Sequence, residues 1–230
     1  MPPIHWDAVR AVVFDVDGTL YDQRRLRRRM ALALLLHCLR HPREVGMLRT
    51  VQTFRRVREE LGEEGVADVA RLQYVRPAER LAVDPEQVRR IAEYWLGERP
   101  LAHLPACRAP AIDTLFATLR DTGRTIAVFS DYAVETKLAA LGLEADLCVS
   151  ALDPDVDRLK PDARGLERIL ERLDLPPRAC VMIGDRDDRD GEAARRVGMP
   201  FLRKVWSGRG EAGTVHDYAT VAAILRGPSR

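Results

Sequence analysis

The chain has 230 residues, 46% of them hydrophobic and 31% charged, with a formal net charge of +2. That length allows one large domain or a core with an insertion, and near-balanced charge gives no bulk argument for nucleic-acid or membrane partners. Four scattered cysteines without a Cys-x-x-Cys pair, no signal-like N-terminus and no apolar run near the ~20 residues of a membrane span point to a reducing, cytoplasmic setting.

The first predicted element is a short apolar strand at residues 11–14, running into Asp15-Val16-Asp17-Gly18-Thr19-Leu20. Residues two apart on a strand share a face, so Asp15 and Asp17 stand together at its carboxyl end, where open parallel sheets bind ligands. Two bare carboxylates there repel unless a proton or cation lies between them, and a hard ion such as Mg²⁺ suits them. A solvated Asp-x-Asp-Gly turn is the alternative. An EF-hand calcium loop is excluded, because its twelfth position would be Leu26 rather than glutamate.

From about Asp22 to Arg99 the pattern is helical and charged. Met47, Val51, Phe54 and Leu61 recur at helical spacing, and Asp84-Pro85-Glu86-Gln87 reads as a helix start before Val88, Ile91, Ala92 and Trp95. Prolines between 100 and 110 mark a return linker. Alternation then begins: a helix carrying Ile112, Leu115, Phe116 and Leu119, a strand over 125–129, a helix ending at Gly142, and a strand over 147–150. A helix with Leu166, Ile169, Leu170 and Leu173 follows, then strands over 180–183 and 201–205. Strands separated by such helices imply right-handed βαβ units and an α/β, doubly wound parallel sheet. Residues 1–21 and 105–230 are therefore assigned to the core, and residues 22–104 to an inserted helical domain.

Three further predicted strand ends carry chemistry: Ser130-Asp131, Lys160 in Leu159-Lys160-Pro161, and Gly184-Asp185 with the acids Asp187, Asp188 and Asp190 behind it. Of the 37 cationic residues only Lys137, Lys160 and Lys204 are lysine. A lysine retained in so arginine-rich a chain suits a place needing a compact charge rather than a planar fork. Beside a carboxylate at ~4 Å and an effective dielectric of ~20, its attraction is on the order of 4 kcal/mol.

Taken in order, Asp15-Val16-Asp17-Gly18-Thr19, Ser130, Lys160 and Gly184-Asp185 resemble the four motifs of the haloacid dehalogenase superfamily, in the branch with a helical cap between the first two. The resemblance covers the core specifically and the cap only by position and helicity. It implies a Rossmann-like core and a Mg²⁺-dependent phosphatase acting on a small phosphorylated molecule, with Asp15 the nucleophile and Asp17 the general acid/base. Gly18, Thr19, Ser130, Asp131 and Lys160 would hold the phosphoryl group. Asp15, Asp185 and the Asp17 carbonyl would hold the metal, with Asp190 the supporting acid and Asp188 its rival.

A phosphomutase would keep every motif, and a 2-haloacid dehalogenase is disfavoured because that branch lacks the second acid. A binding or regulatory module with a vestigial site is the non-enzymatic reading. Arg24, Arg25, Arg27, Arg28 and Arg29 form either a solvated helix face or an anion-reading group, and Tyr21 and Asp22 lie where they could face the substrate. No aromatics are interleaved with the arginines, which argues against nucleic acid. Substrate identity and oligomeric state stay open.

Overall fold

Apolar residues fill β1 (Ala11–Phe14) without alternation because both of its faces are covered. The computed structural model describes residues 4–207 and 212–227, so the termini of the expected core segments at 1–3 and 228–230 lie outside the described residues. β1 sits inside a six-stranded parallel sheet with β2 (Thr125–Ser130), β3 (Leu147–Ser150), β4 (Cys180–Gly184), β5 (Phe201–Lys204) and β6 (Thr214–Val215), in the order β3-β2-β1-β4-β5-β6.

Successive strand residues feed opposite cores. Val12, Phe14, Ile126, Val128 and Ile183 pack beneath α6 (Ile112–Asp121), α7 (Glu135–Leu141) and α10 (Tyr218–Arg226). Ala11, Val13, Ala127, Phe129 and Met182 pack beneath α8 (Arg164–Leu173) and α9 (Glu192–Val197). The doubly wound sheet expected from the alternation is present. The two-residue β6 and the helix α10 extend it beyond the elements expected from the sequence.

Between β1 and β2 lie α1 (Gln23–Arg40), α2 (Met47–Glu64), α3 (Val69–Leu81), α4 (Pro85–Ala92), a π-helical turn (Glu93–Glu98) and the short α5 (Arg99–Leu101). Asp84 caps α4 through Glu86 N at 2.9 Å, with Pro85 at the first helical position. The outgoing and returning segments are stitched to each other: Asp22 N donates to Cys107 O at 2.8 Å and Ala109 N to Leu20 O at 3.0 Å.

These helices do not form an isolated body. Met47 and Val51 of α2 join the core under α6, whereas Val57 and Leu61 of the same helix join the core under α8; Phe54 belongs to a third cluster with Tyr74 and Val88. One face of α1 lacks such packing, leaving Leu32, Leu35, Leu36 and Leu39 exposed. No helix among the described residues is long and apolar enough to cross a membrane.

Candidate active site

Because all paired strands run parallel, their carboxyl ends meet at one edge, and that edge gathers Asp15, Ser130, Asp131 and Asp185. Lys160 reaches in from the loop before α8. Its Nζ lies 2.5 Å from Asp15 Oδ1 and 2.6 Å from Asp190 Oδ1, with all three side chains almost wholly buried. Burial alone would lower the lysine's pKa, but Asp15 and Asp190 reverse the effect and hold it well above its ordinary value. Burial pushes the Asp15 carboxyl well up, with Lys160 pulling the other way.

Asp185 completes a group with Asp15 and Asp190 in which one carboxylate oxygen of each lies within 4.8 Å of the others. Burial, then repulsion from Asp190, raises the Asp185 carboxyl to about 6. Three acids facing a single ammonium leave excess negative charge on hard oxygen donors, a set that fits a small divalent cation. The approach is close enough that Gly18 is required. Its φ is +95°, and a Cβ there would meet Asp185 Oδ2 at 2.2 Å.

Asp17 points its carboxylate elsewhere. Lys137 Nζ, on the first turns of α7, donates to both Asp17 oxygens at 2.6 Å, and the Tyr21 hydroxyl donates to Oδ1. Burial would raise the Asp17 carboxyl, yet Lys137 and Tyr21 outweigh it and hold it below its ordinary value. The neighbouring carboxylates thus have different company: Asp15 faces Lys160 and the acid cluster, and Asp17 faces Lys137 and a phenol. The Asp17 carboxylate is not part of the three-acid cluster, so only its main-chain carbonyl is left for the metal contact expected of it.

The remaining expected residues stand mostly behind these. Thr19 is fully buried and its hydroxyl donates to Asp15 Oδ2 at 3.1 Å. Ser130 is also fully buried, its hydroxyl accepting from Tyr132 N at 3.1 Å. Asp131 accepts from Lys160 N at 3.0 Å, which ties the second strand end to the lysine loop. Of the rival acids, Asp190 is the buried one that reaches Lys160, while Asp188 is exposed and paired with Arg186. Asp187 is exposed and pairs with Arg195 at 2.6 Å.

A cavity of about 380 Å³ opens over this corner. Asp15, Asp17, Asp131, Lys160, Asp185 and Asp190 form its floor, and the helices between β1 and β2 form its walls. Of the arginine run only Arg27 reaches it; Arg24, Arg25, Arg28 and Arg29 lie on the exposed face of α1. Tyr21 lines it, whereas Asp22 caps α1, accepting from Arg24 N and Arg25 N at 2.8 and 3.1 Å.

Lys137, Arg58, Glu59 and Arg189 are cavity residues that sequence reasoning did not assign. Lysine scarcity was an available signal for Lys137, but nothing local distinguishes Arg58 among so many arginines. Glu59 on α2 reaches Arg186 and Arg189 at 2.8 and 2.7 Å, joining the inserted helices to the loop after β4.

The profile of the haloacid dehalogenase-like hydrolases matches residues 9–198. The chain is 27% identical over 205 residues to the glyceraldehyde 3-phosphate phosphatase of Methanopyrus kandleri, covering 85% of this chain and 83% of that protein. Among solved structures, a 2-haloacid dehalogenase from Pseudomonas syringae pv. Tomato gives a TM-score of 0.64 at 18% identity, covering 95% of this chain and 98% of that one. A HAD phosphatase from Thermococcus onnurineus gives 0.56 at 20% identity, covering 95% and 99%. At such identities the structural likeness establishes the fold alone.

Proposed function

We propose that this chain, which belongs to the haloacid dehalogenase-like hydrolase family, hydrolyses a small phosphomonoester through a phosphorylated Asp15. The observation that carries this reading is the division between the two acids. Asp15 is aligned by Lys160 and Thr19 beside a cluster able to hold a cation, and Asp17 faces the same cavity with its own ammonium partner. The phosphatase relative is consistent with it.

In the first step an Asp15 carboxylate oxygen bonds to phosphorus as the ester P–O bond breaks, and the departing alkoxide takes a proton. The Asp17–Lys137 pair carries that proton: an ammonium facing a carboxylate equals, by proton count, an amine facing a carboxylic acid. In the second step water attacks phosphorus, its proton returns to the pair, and inorganic phosphate leaves with Asp15 regenerated. Lys160 holds Asp15 in place and neutralises charge on the transferred oxygens, as do main-chain N–H groups after β1 and β2. A Mg²⁺ held by Asp15, Asp185 and the Asp17 carbonyl would supply further charge neutralisation there, with Asp190 holding Lys160. Residues 22–104 serve as the cap that keeps bulk water from this corner.

A haloacid dehalogenase reading has fold likeness behind it, but a departing halide needs no proton, so Asp17 with Lys137 would have no part in its first step. With Mg²⁺ present, 4-nitrophenyl phosphate should be hydrolysed, acid-quenched protein should carry phosphate on the peptide containing Asp15, and Asp15→Asn should abolish both. Chloride release from 2-chloropropionate without phosphatase activity would replace this reading with the dehalogenase one. Isomerised sugar phosphate without free phosphate would make the enzyme a mutase.

A further inference from the structure

Arg58 differs from the other buried cations that line the cavity. It lies on α2, is 5% exposed, and is held entirely by neutral groups. Nη1 donates to the Gln73 amide oxygen, Nη2 donates to the Asp131 main-chain oxygen at 2.5 Å, and the guanidinium carbon lies 4.1 Å from the centre of the Tyr132 ring. Lys137, Lys160 and Arg189, by contrast, each face a carboxylate at 2.7 Å or less. Among the described residues no carboxylate lies within ion-pair distance of Arg58. Two bonds to neutral oxygens fix the fork's orientation but leave its charge without a counter-ion and most of its five N–H groups uncommitted. A buried cation aimed into a cavity in that condition is a receptor for an anion from outside the protein.

Another part of the cavity lining has the reverse character. Leu26, Met30 and Leu34 lie four residues apart on α1 and present one apolar stripe, faced by Trp95 and Leu101. Leu26, Met30 and Trp95 are already nearly buried in the core, so what the wall offers a ligand is chiefly the half-buried Leu34 and Leu101, an apolar surface that suits an apolar body better than a polar one.

We propose that the substrate of this site is a phosphomonoester whose alcohol portion is an apolar, ring-sized body carrying a second acidic group, the body resting on the α1 wall and the acid on Arg58. This inference rests on the phosphatase reading for its chemistry, but its binding consequence is separable. Arg58 also joins α2 to the second strand end, so a purely structural tie is the competing explanation, and the test must distinguish the two.

The experiment is a calorimetric titration, with Mg²⁺ present, of benzylphosphonate and its ring-carboxylated analogue, accompanied by hydrolysis assays of phenyl phosphate and carboxyphenyl phosphate. The carboxylated phosphonate should bind about tenfold more tightly than the parent, the value of one charge-assisted pair. Arg58→Gln should reduce that ratio to near one, and Arg58→Lys, which retains the charge, should recover part of it. The hydrolysis ratio should move in parallel. A structural tie would change both ligands equally in Arg58→Gln, and an unchanged ratio in that variant, or equal affinities in the native protein, overturns the inference. Selective binding without turnover of either ester would keep the inference and discard the phosphatase reading; turnover without selectivity would do the reverse.

Discussion

The floor of the cavity and its helical walls are specified in opposite ways. On the floor, buried acids at the strand ends face ammonium groups drawn from distant parts of the chain, Lys160 from the loop before α8 and Lys137 from α7, and the parallel sheet fixes the meeting point. Asp15 and Lys160 are separated by 145 residues and lie 2.5 Å apart. On the walls, α1, α2, the π-helical turn and α5 contribute the side chains, and among the described residues the buried Arg58 has no acid within ion-pair distance. A floor built from mutual charge compensation tolerates little change. A wall built from apolar faces can be altered in shape while the chemistry below persists, which is how one set of strand ends comes to serve different substrates.

The sharpest way to break this contrast is to remove a charge from the floor. Lys160→Met leaves Asp15 and Asp190 without the ammonium between them, and turnover should fall by about 10³-fold, because a preorganised charge next to the transferred group is lost. Steady-state kinetics on an aryl phosphate checks this, and retention of more than a tenth of native activity would show that the floor is not a matched set.

Lys137→Met tests the proton assignment. Hydrolysis of an alkyl phosphate should fall by about 10²-fold, and that of 4-nitrophenyl phosphate much less, since nitrophenolate departs without a proton. Equal losses on the two esters would reduce Lys137 to a structural partner of Asp17.

Gly62→Ala probes where floor and wall touch. A Cβ at Gly62 would meet Arg189 Nη1 at 1.8 Å and the Lys160 carbonyl at 2.8 Å, so α2 and the lysine loop cannot both keep their places. Overpacking of that kind should cost about 1–3 kcal/mol in denaturant unfolding and lower activity through Lys160. A variant of native stability would mean that α2 moves freely over the floor. The smallest effect is expected on the outer face of α1. Arg25→Ala should change neither stability by more than about 0.5 kcal/mol nor kcat/KM by more than about twofold, because the side chain is solvated and outside the cavity lining.

Much of this could be read directly. The strand bounds at β3 coincide with the expected 147–150, and the apolar spacings on α2, α6 and α8 identify faces that are buried. The last helix went unassigned although its signal was present: Asp217 caps a helix whose Tyr218, Val221, Ala222 and Leu225 carry ordinary helical spacing. β6 was not legible, since two residues offer no period. At the site, Asp15 and Asp185 stand at strand ends that sequence order places on one edge, and Lys160 joins them from the loop before α8. The resemblance already favours Asp190 over Asp188, and the π-helical turn (Asp187–Gly191) is what carries Asp190 inward to Lys160.

What the sequence determined by itself was the alternation of strands and helices and the acids at their junctions, because hydrophobic period and strand-end placement are local properties of the chain. Only the tertiary structure decided the partners: Lys137 for Asp17, Asp190 for Lys160 and, among the described residues, no acid for Arg58. Those pairings depend on distances between residues up to 120 positions apart, and electrostatic energy follows distance in space rather than along the chain.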